Sequence, residues 1–481
     1  MAKRAISIHG HFYQPSREDP NTGEIALEEG AQPFRNWNEK IHDDCYRPNA
    51  ELGNFERISF DLGPTLINWM LSYDPATLAK IISQERANYI RYGVGNGMAL
   101  PYHHSILPLA ARHDKITQIT WGIQDFITRF GHEPAGLWLP ETAVDEETLV
   151  LLVQNGIEFT ILAPWQVVET DLEPGKPYWI DLPGGHRLAV FIYDQDLSMR
   201  ISFDSVSTLN ADQFVHSHIL PAFSPNGRSK DGDQILILAS DGELYGHHQP
   251  FRDKFLAYLT SNGTIQRGYE VAYPGLWLRQ NPPEGTVHLI PNTSWSCHHG
   301  ITRWKEPCEC TPNGDWKTQF RKAMNNIAAA IDEEYLRVVG PHLHDPWQLL
   351  YRYIDVLHGK ISLRELINDG FEIQADQNEM RRLDYILRAQ LNKQRMFTSC
   401  GWFFEDFDRL EPRKNVIYAA QAVWWTRLAT GVDLIPQARQ WLAMVKSWRS
   451  GLSADLVFSG QIDRVRYEQL SFPFVQNDEM N

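Results

Sequence analysis

The sequence predicts an α/β protein, an incomplete barrel of parallel strands wrapped by helices, followed by an all-helical C-terminal domain. Three observations carry this. Through the first three hundred or so residues, short apolar runs alternate with amphipathic helical patterns, as expected of parallel strands covered on both faces. Nearly every run ends on a residue able to do chemistry, and the C-terminal face of a (β/α) barrel is where active sites are built. From about residue 310 the strand candidates stop and helical periodicity takes over.

In chain order, AISI (5–8) precedes His9, GLWLP (136–140) precedes Glu141, and FTILA (159–163) precedes Pro164. RLAVFIY (187–193) precedes Asp194, ILILAS (235–240) precedes Asp241, and TVHLIPN (286–292) leads towards Trp295. ITQITWGIQDFITRF (116–130) and ETLVLLVQ (147–154) are amphipathic helices, the second with Asp145 as N-cap and Gly156 closing it. Segments 316–337, 346–358, 379–397 and 415–429 read as further helices, with Trp424-Trp425 expected to pack against the barrel. The turn-rich ECTPNGD (309–315) divides a barrel over residues 1–310 from a helical domain over 311–481, and the acidic tail QNDEMN is expected to be solvated.

A chain of 481 residues is too long for one ordinary core. Its hydrophobic and charged fractions, 43% and 22%, are those of a soluble globular protein. A net charge of −15 without a basic stripe argues against nucleic acid and against anionic membranes as partners. The apolar stretch before His9 is too short for a signal peptide, and no run approaches a membrane span. Five cysteines, an odd and small number, point to a reducing cytoplasm. The 16 tryptophans suit either a large core or a sugar-binding cleft, where an indole stacks on a pyranose face.

Glu141 sits too early to serve the helix that Asp145 caps, so a carboxylate directly after a buried strand needs another reason. Asp241 leaves its strand in the same way, in SDGELYGHH (240–248), with Gly242 and Gly246 keeping the loop tight. Two carboxylates facing a cleft are the minimum equipment for glycoside hydrolysis, one as nucleophile or base and one as proton donor. Taken singly, Asp241 and Glu243 also suit loop capping. A rival reading is a metal-dependent hydrolase, in which His9 and His11 of HGH join Asp194, Asp241 and His247 or His248 around an activated water. Cys297, His298 and His299 followed by Cys308 and Cys310 invite a zinc site, but the single residue between Cys308 and Cys310 argues for separate free side chains, and no metal or cofactor is expected.

HGHFYQP (9–15), WLPETAVD (138–145), SDGELYGHH (240–248) and Trp295 in NTSWSCHH resemble, in order and spacing, four sequence blocks of glycoside hydrolase family 57. TSCGWFFEDFDRLEP (398–412) resembles a helical domain of unknown function that accompanies one subgroup. The resemblance implies a (β/α)7 TIM-like barrel with a helical extension and retaining chemistry on α-linked glucans, by hydrolysis or by transfer. It implies Glu141 as nucleophile, Asp241 as acid/base, His9 with His11 beside it as substrate contacts, and Trp295 as an aromatic wall. Asp241 is then expected to carry the raised pKa. Gln14 of the first block, Tyr245 and His247 of the fourth, Asp194, and Trp165 and Trp304 as loop platforms complete the expected substrate contacts. The second block of the family usually carries a glutamate, which GVGNGMALPYHH (93–104) lacks; the stretch is expected to line the pocket there through Asn96, or through His103 and His104, instead. A barrel that binds glucan without cleaving it is the remaining alternative.

Overall fold

The computed structural model describes residues 3–223, 232–261, 264 and 267–471, so the tail at 476–481 lies outside the described residues. β1 (Arg4–Phe12) pairs in parallel with β2 (Ser59–Leu62), and β2 with β3 (Gly97–Met98). The ring continues through parallel bridges from Ala99 to Leu137 and from Gly136 to Phe159, which opens β4 (Phe159–Leu162). A hairpin of β5 (Pro177–Leu182) and β6 (His186–Ile192) follows, with β6 parallel to β4 and β5 antiparallel on its outer side. β7 (Gln234–Asp241) returns to pair with β1 along its whole length. Where β6 meets β7 the contact is Asp194 N–H donating to Ile237 O at 2.8 Å, without a ladder among the described residues. Seven parallel segments therefore nearly close: the fold is an incomplete (β/α)7 TIM-like barrel followed by a helical region. Two short strands complete the set, β8 (Glu270–Val271) beside the start of β1 and β9 (Gly285–Thr286) on the edge of β5.

Strand side chains alternate between two faces, and the buried residues sort accordingly. Ala5, Met98, Trp138, Ile161, Phe191 and Ile237 share one cluster. Their neighbours Ile6, Leu137, Leu139, Leu162, Val190 and Leu236 belong to the layer between barrel and helices. His9 and His11 have the parity of Ala5, so β1 carries both imidazoles on the inner face. Asp241 has the parity of Ile237 and lies opposite His11 in the ladder.

Several strand expectations are corrected. β2 and β3 were not expected: they are four and two residues long, too short for an apolar run to stand out. GLWLP bridges its neighbours only at Gly136 and Leu137. TVHLIPN is not a barrel strand: after β9, Val287 N–H donates to Trp179 O, and Ile290 N–H to Gln166 O, which places it outside the ring. The helices follow their periodicity more closely, at Arg112–Phe130 and Glu146–Gln154, the latter capped by Asp145 accepting from Thr148 N–H.

Trp316–Val339, Gln377–Arg395, Leu410–Thr430 and Ala454–Ser471 are the long C-terminal helices, while 346–358 breaks into Trp347–Arg352 and Ile354–Leu357. Their core is continuous with Tyr102, Ile106 and Trp121 from the barrel side. Trp121 Nε1 donates to Leu350 O at 3.0 Å, and the buried Lys393 ammonium reaches Asp114 at 2.8 Å and Asp332 at 2.5 Å. Trp424 and Trp425 pack within the helical region rather than on the barrel: Trp425 lies against Tyr385 and Arg388, and Trp424 against Arg427 and Arg466. Among the described residues, no helix is long and apolar enough to cross a membrane.

Candidate active site

Glu141 lies in a tight turn, Pro140–Thr142, that the chain makes on leaving the barrel wall. Both Glu141 and Thr142 are left-handed, at φ 58° and 48°, a conformation that costs non-glycine residues about 1–3 kcal/mol each. Gln166 holds the turn: its Oε1 accepts from Thr142 Oγ1 at 2.9 Å and its Nε2 donates to Thr142 O at 2.8 Å. The strain aims the Glu141 carboxylate at Trp295 and Ser296, whose Nε1 and Oγ donate to Oε2 at 3.1 and 2.6 Å. Burial raises the Glu141 pKa above the ordinary carboxylate value, the Ser296 hydrogen bond pulls it back, and the Asp241 charge adds to the rise.

Asp241 ends β7 with its side chain exposed, opening on the same cavity as Glu141. The loop after it is compact because a Cβ on Gly242 would stand 2.3 Å from the Phe12 ring, and one on Gly246 (φ 136°) 2.1 Å from Asp44 O. Glu243, the other acid of the motif, turns away into the protein. Its Oε1 accepts from Tyr46 Oη at 2.6 Å and from Tyr13 N–H at 3.1 Å, and burial pushes its carboxyl up to about 7. His248 lines the cavity with Asp241, its pKa lowered first by burial and then by His247. The cavity holds about 730 Å³, with Trp165, Tyr193, Trp295 and the 81%-exposed Phe203 as aromatic walls. Phe403, from the helical region, completes it.

Behind this cavity runs a buried polar chain built on Asp61, a residue the sequence reading did not single out. Its Oδ1 lies 3.1 Å from His9 Nε2 and its Oδ2 2.8 Å from His11 Nδ1. His11 Nε2 then meets His104 Nε2 at 3.1 Å, and His104 Nδ1 meets Ser399 Oγ at 2.7 Å. Burial alone lowers the His11 pKa, but the Asp61 carboxylate overrides it and carries it up to about 9. Burial and the His11 charge push His104 down, so a protonated His11 donates to a neutral His104. His9 stacks on Trp138, with ring centres 4.4 Å apart.

A histidine whose folded pKa stands near 9, against about 6.5 unfolded, contributes stability that is complete below about pH 6.5 and is lost as pH rises through 9. Asp61→Asn is therefore expected to destabilise the chain by roughly 3 kcal/mol near neutrality, since it leaves a buried imidazolium without its counter-charge. It should also flatten the loss of stability on the alkaline side. Urea unfolding of both chains across that range checks this; an unchanged alkaline slope in the variant would show that Asp61 does not hold the proton on His11.

Of the residues expected at the site, Glu141, Asp241, Trp165 and Trp295 line the one cavity. His9, His11 and His104 are buried behind it. The others go elsewhere. Trp304 is 0% exposed in the helical core, because the loop after β9 folds inward there. Tyr245 is 1% exposed, with Ser240 Oγ donating to its Oη at 3.1 Å. His247 faces Asp44 at 2.9 Å, and its neighbour His248 takes the cavity position. Asp194 caps Gln195–Phe203 by accepting from Leu197 N–H at 2.9 Å. Gln14 accepts from Arg17 at 3.3 Å, outside the cavity lining. Of the second block, Asn96 bonds Asn88 and the Phe55 carbonyl, and His103 bonds Gln118, so neither reaches the cavity. His9 and His11 do not gather with Asp194, Asp241 and His247 or His248 into a metal-binding group among the described residues. Tyr193, Phe203, Ser296 and Phe403 are among the lining residues the sequence reading missed, and His298, weighed there only as a zinc ligand, also lines the cavity.

Two family models match the chain, glycosyl hydrolase family 57 over residues 17–289 and a domain of unknown function (DUF3536) over 313–456. The chain is 22% identical to an alpha-amylase of Pyrococcus abyssi over 292 residues, 58% of this chain and 41% of the relative, so it spans about two fifths of that relative's length. An exo-type maltose-forming amylase of Pyrococcus sp. ST04 superposes with TM-score 0.72 at 15% identity, covering 98% of this chain and 84% of that one. A GH57-type branching enzyme of Pyrococcus horikoshii gives TM-score 0.59 at 14% identity, covering 95% and 97%. The likeness of these structures extends over the helical region as well as the barrel. With more than half its length matched by the family model, the chain belongs to glycosyl hydrolase family 57.

Proposed function

We propose that this chain is a retaining glycoside hydrolase or glucanotransferase acting on α-linked glucans, with a catalytic barrel to about residue 310 and a helical domain after it. The observation that carries the reading is the opening of Glu141 and Asp241, from separate barrel segments, on one aromatic-walled cavity. Glu141 attacks the anomeric carbon and forms a glycosyl-enzyme, while Asp241 protonates the departing glycosidic oxygen. Asp241 then takes a proton from the acceptor, which displaces Glu141 and restores the anomeric configuration. Trp295 and Ser296 orient the nucleophile, and Trp165 and Trp295 offer indole faces to the sugar rings. Water as acceptor gives hydrolysis; a glucan hydroxyl gives transfer. The family assignment supports α-glucan as substrate, the relatives being named as an amylase and a branching enzyme. Five free cysteines support a cytoplasmic location.

Chromatography of products from maltooligosaccharides and amylose tests this. Shorter chains alone are expected from hydrolysis, and chains both longer and shorter than the input from transfer; debranching then separates α-1,6 from α-1,4 products. Unaltered substrates throughout would remove α-glucan turnover from this reading.

A further inference from the structure

The segment that supplies both donors to Glu141 runs directly into a cluster of soft ligands. Cys297 Sγ lies 3.5 Å from Cys308 Sγ, and His299 Nδ1 lies 3.2 Å from Cys308 Sγ and 3.4 Å from Cys310 Sγ. All four ligand atoms fall within 4.8 Å of one another. A tetrahedral zinc ion with Zn–S near 2.3 Å and Zn–N near 2.0–2.1 Å sets ligand–ligand edges of roughly 3.5–3.8 Å, the scale of these separations. A disulfide, in contrast, needs sulfurs about 2.05 Å apart, and all these cysteines are free.

The single residue between Cys308 and Cys310 is no obstacle in this fold. Thr311 N–H donates to Cys308 O at 2.9 Å, and the backbone curls so that both sulfurs reach the same imidazole nitrogen. The other nitrogen of that ring, Nε2, lies 3.8 Å from a Glu309 carboxylate oxygen, the kind of partner that orients metal-bound histidines.

A second observation is independent of these distances. Lys317 is 0% exposed, and its Nζ has no hydrogen-bond partner among the described residues. Burial and then the Arg303 charge hold its pKa down to about 8, while negative charge on Cys308, Cys297 and Glu405 acts in the opposite direction. A buried ammonium without a partner is costly. Zinc held by three thiolates and a neutral imidazole carries a net single negative charge, which compensates it.

We propose that Cys297, His299, Cys308 and Cys310 form a closed structural zinc site that fixes residues 295–298 against the catalytic cavity. Zinc binding releases the three thiol protons to solvent and leaves no open coordination position, so the ion takes no part in bond cleavage. The site stands whether or not the substrate is an α-glucan.

Elemental analysis of the full-length chain, purified reduced and without chelator, is expected to find one zinc ion per chain. Cobalt substitution is expected to give the thiolate charge-transfer and intense visible bands of a tetrahedral thiolate site. Zinc content should fall by about tenfold or more in Cys308→Ser and Cys310→Ser, and stay unchanged in Cys400→Ser. Stripping the native chain with a chelator should lower its melting temperature, with recovery on adding zinc but not magnesium. A reduced, folded native chain that takes up no zinc on dialysis overturns the proposal, as does zinc retained in full by both serine variants. A native Cys297–Cys308 disulfide found by thiol counting would also overturn it.

Discussion

Glu141→Gln is expected to lower kcat/KM on maltooligosaccharides by at least about 10⁴-fold, or about 5.5 kcal/mol of barrier. The amide is isosteric and keeps an oxygen for the Trp295 and Ser296 donors, so the geometry around it survives while the attacking charge is lost. Stability should hold or rise. In the native chain, burial and the Asp241 charge both oppose ionisation of Glu141, and the amide removes that penalty. Initial rates and a melting curve on the same preparation separate the two effects. Turnover retained in a folded variant would strip Glu141 of the nucleophile role; turnover lost together with the melting transition would instead assign it to the fold.

Asp241→Asn is expected to divide substrates by leaving group. A natural glucan needs a proton on the departing oxygen, so its turnover should fall by about 10²–10⁴-fold, the usual contribution of general acid catalysis. An aryl glycoside whose phenol leaves unaided should form the glycosyl-enzyme at nearly the native rate. It then stalls, because no base activates the acceptor, and stopped-flow absorbance should show a burst of aryloxide followed by a slow phase. Equal losses on both substrates without a burst would remove the acid/base assignment. The exposed position of Asp241 on the cavity gives the proton a route to either acceptor.

Read together, the two variants place the burden on a strained turn. Glu141 and Thr142 keep positive φ because Gln166 bonds Thr142 on both its hydroxyl and its carbonyl. Trp295 N–H also donates to Glu141 O at 3.0 Å, which ties the turn to the segment running on to Cys297. A zinc site holding that segment would act on catalysis only through the position of the Trp295 and Ser296 donors.

The residues themselves determined the barrel class and marked the two carboxylates that line the cavity. Alternation along β1 and β7 puts His9, His11 and Asp241 on one face whatever surrounds them, and the helix 147–154 carried its own cap in Asp145. Local periodicity and capping need only near neighbours, so they are legible in one dimension. Tertiary structure decided which of two adjacent histidines faces the cavity, because a Gly246 that only glycine can occupy turns His247 to Asp44 and His248 inward. It decided that Trp304 is core and Phe403 is wall, since a helical region folded back over the barrel rim buries one and delivers the other. It placed Asp61, on a four-residue strand too short to announce itself, between two imidazoles. It also brought Cys297, His299, Cys308 and Cys310 together across a turn that spacing alone argued against. These are contacts between groups distant in sequence or set by a single backbone reversal, and only the assembled chain brings them within a few ångströms.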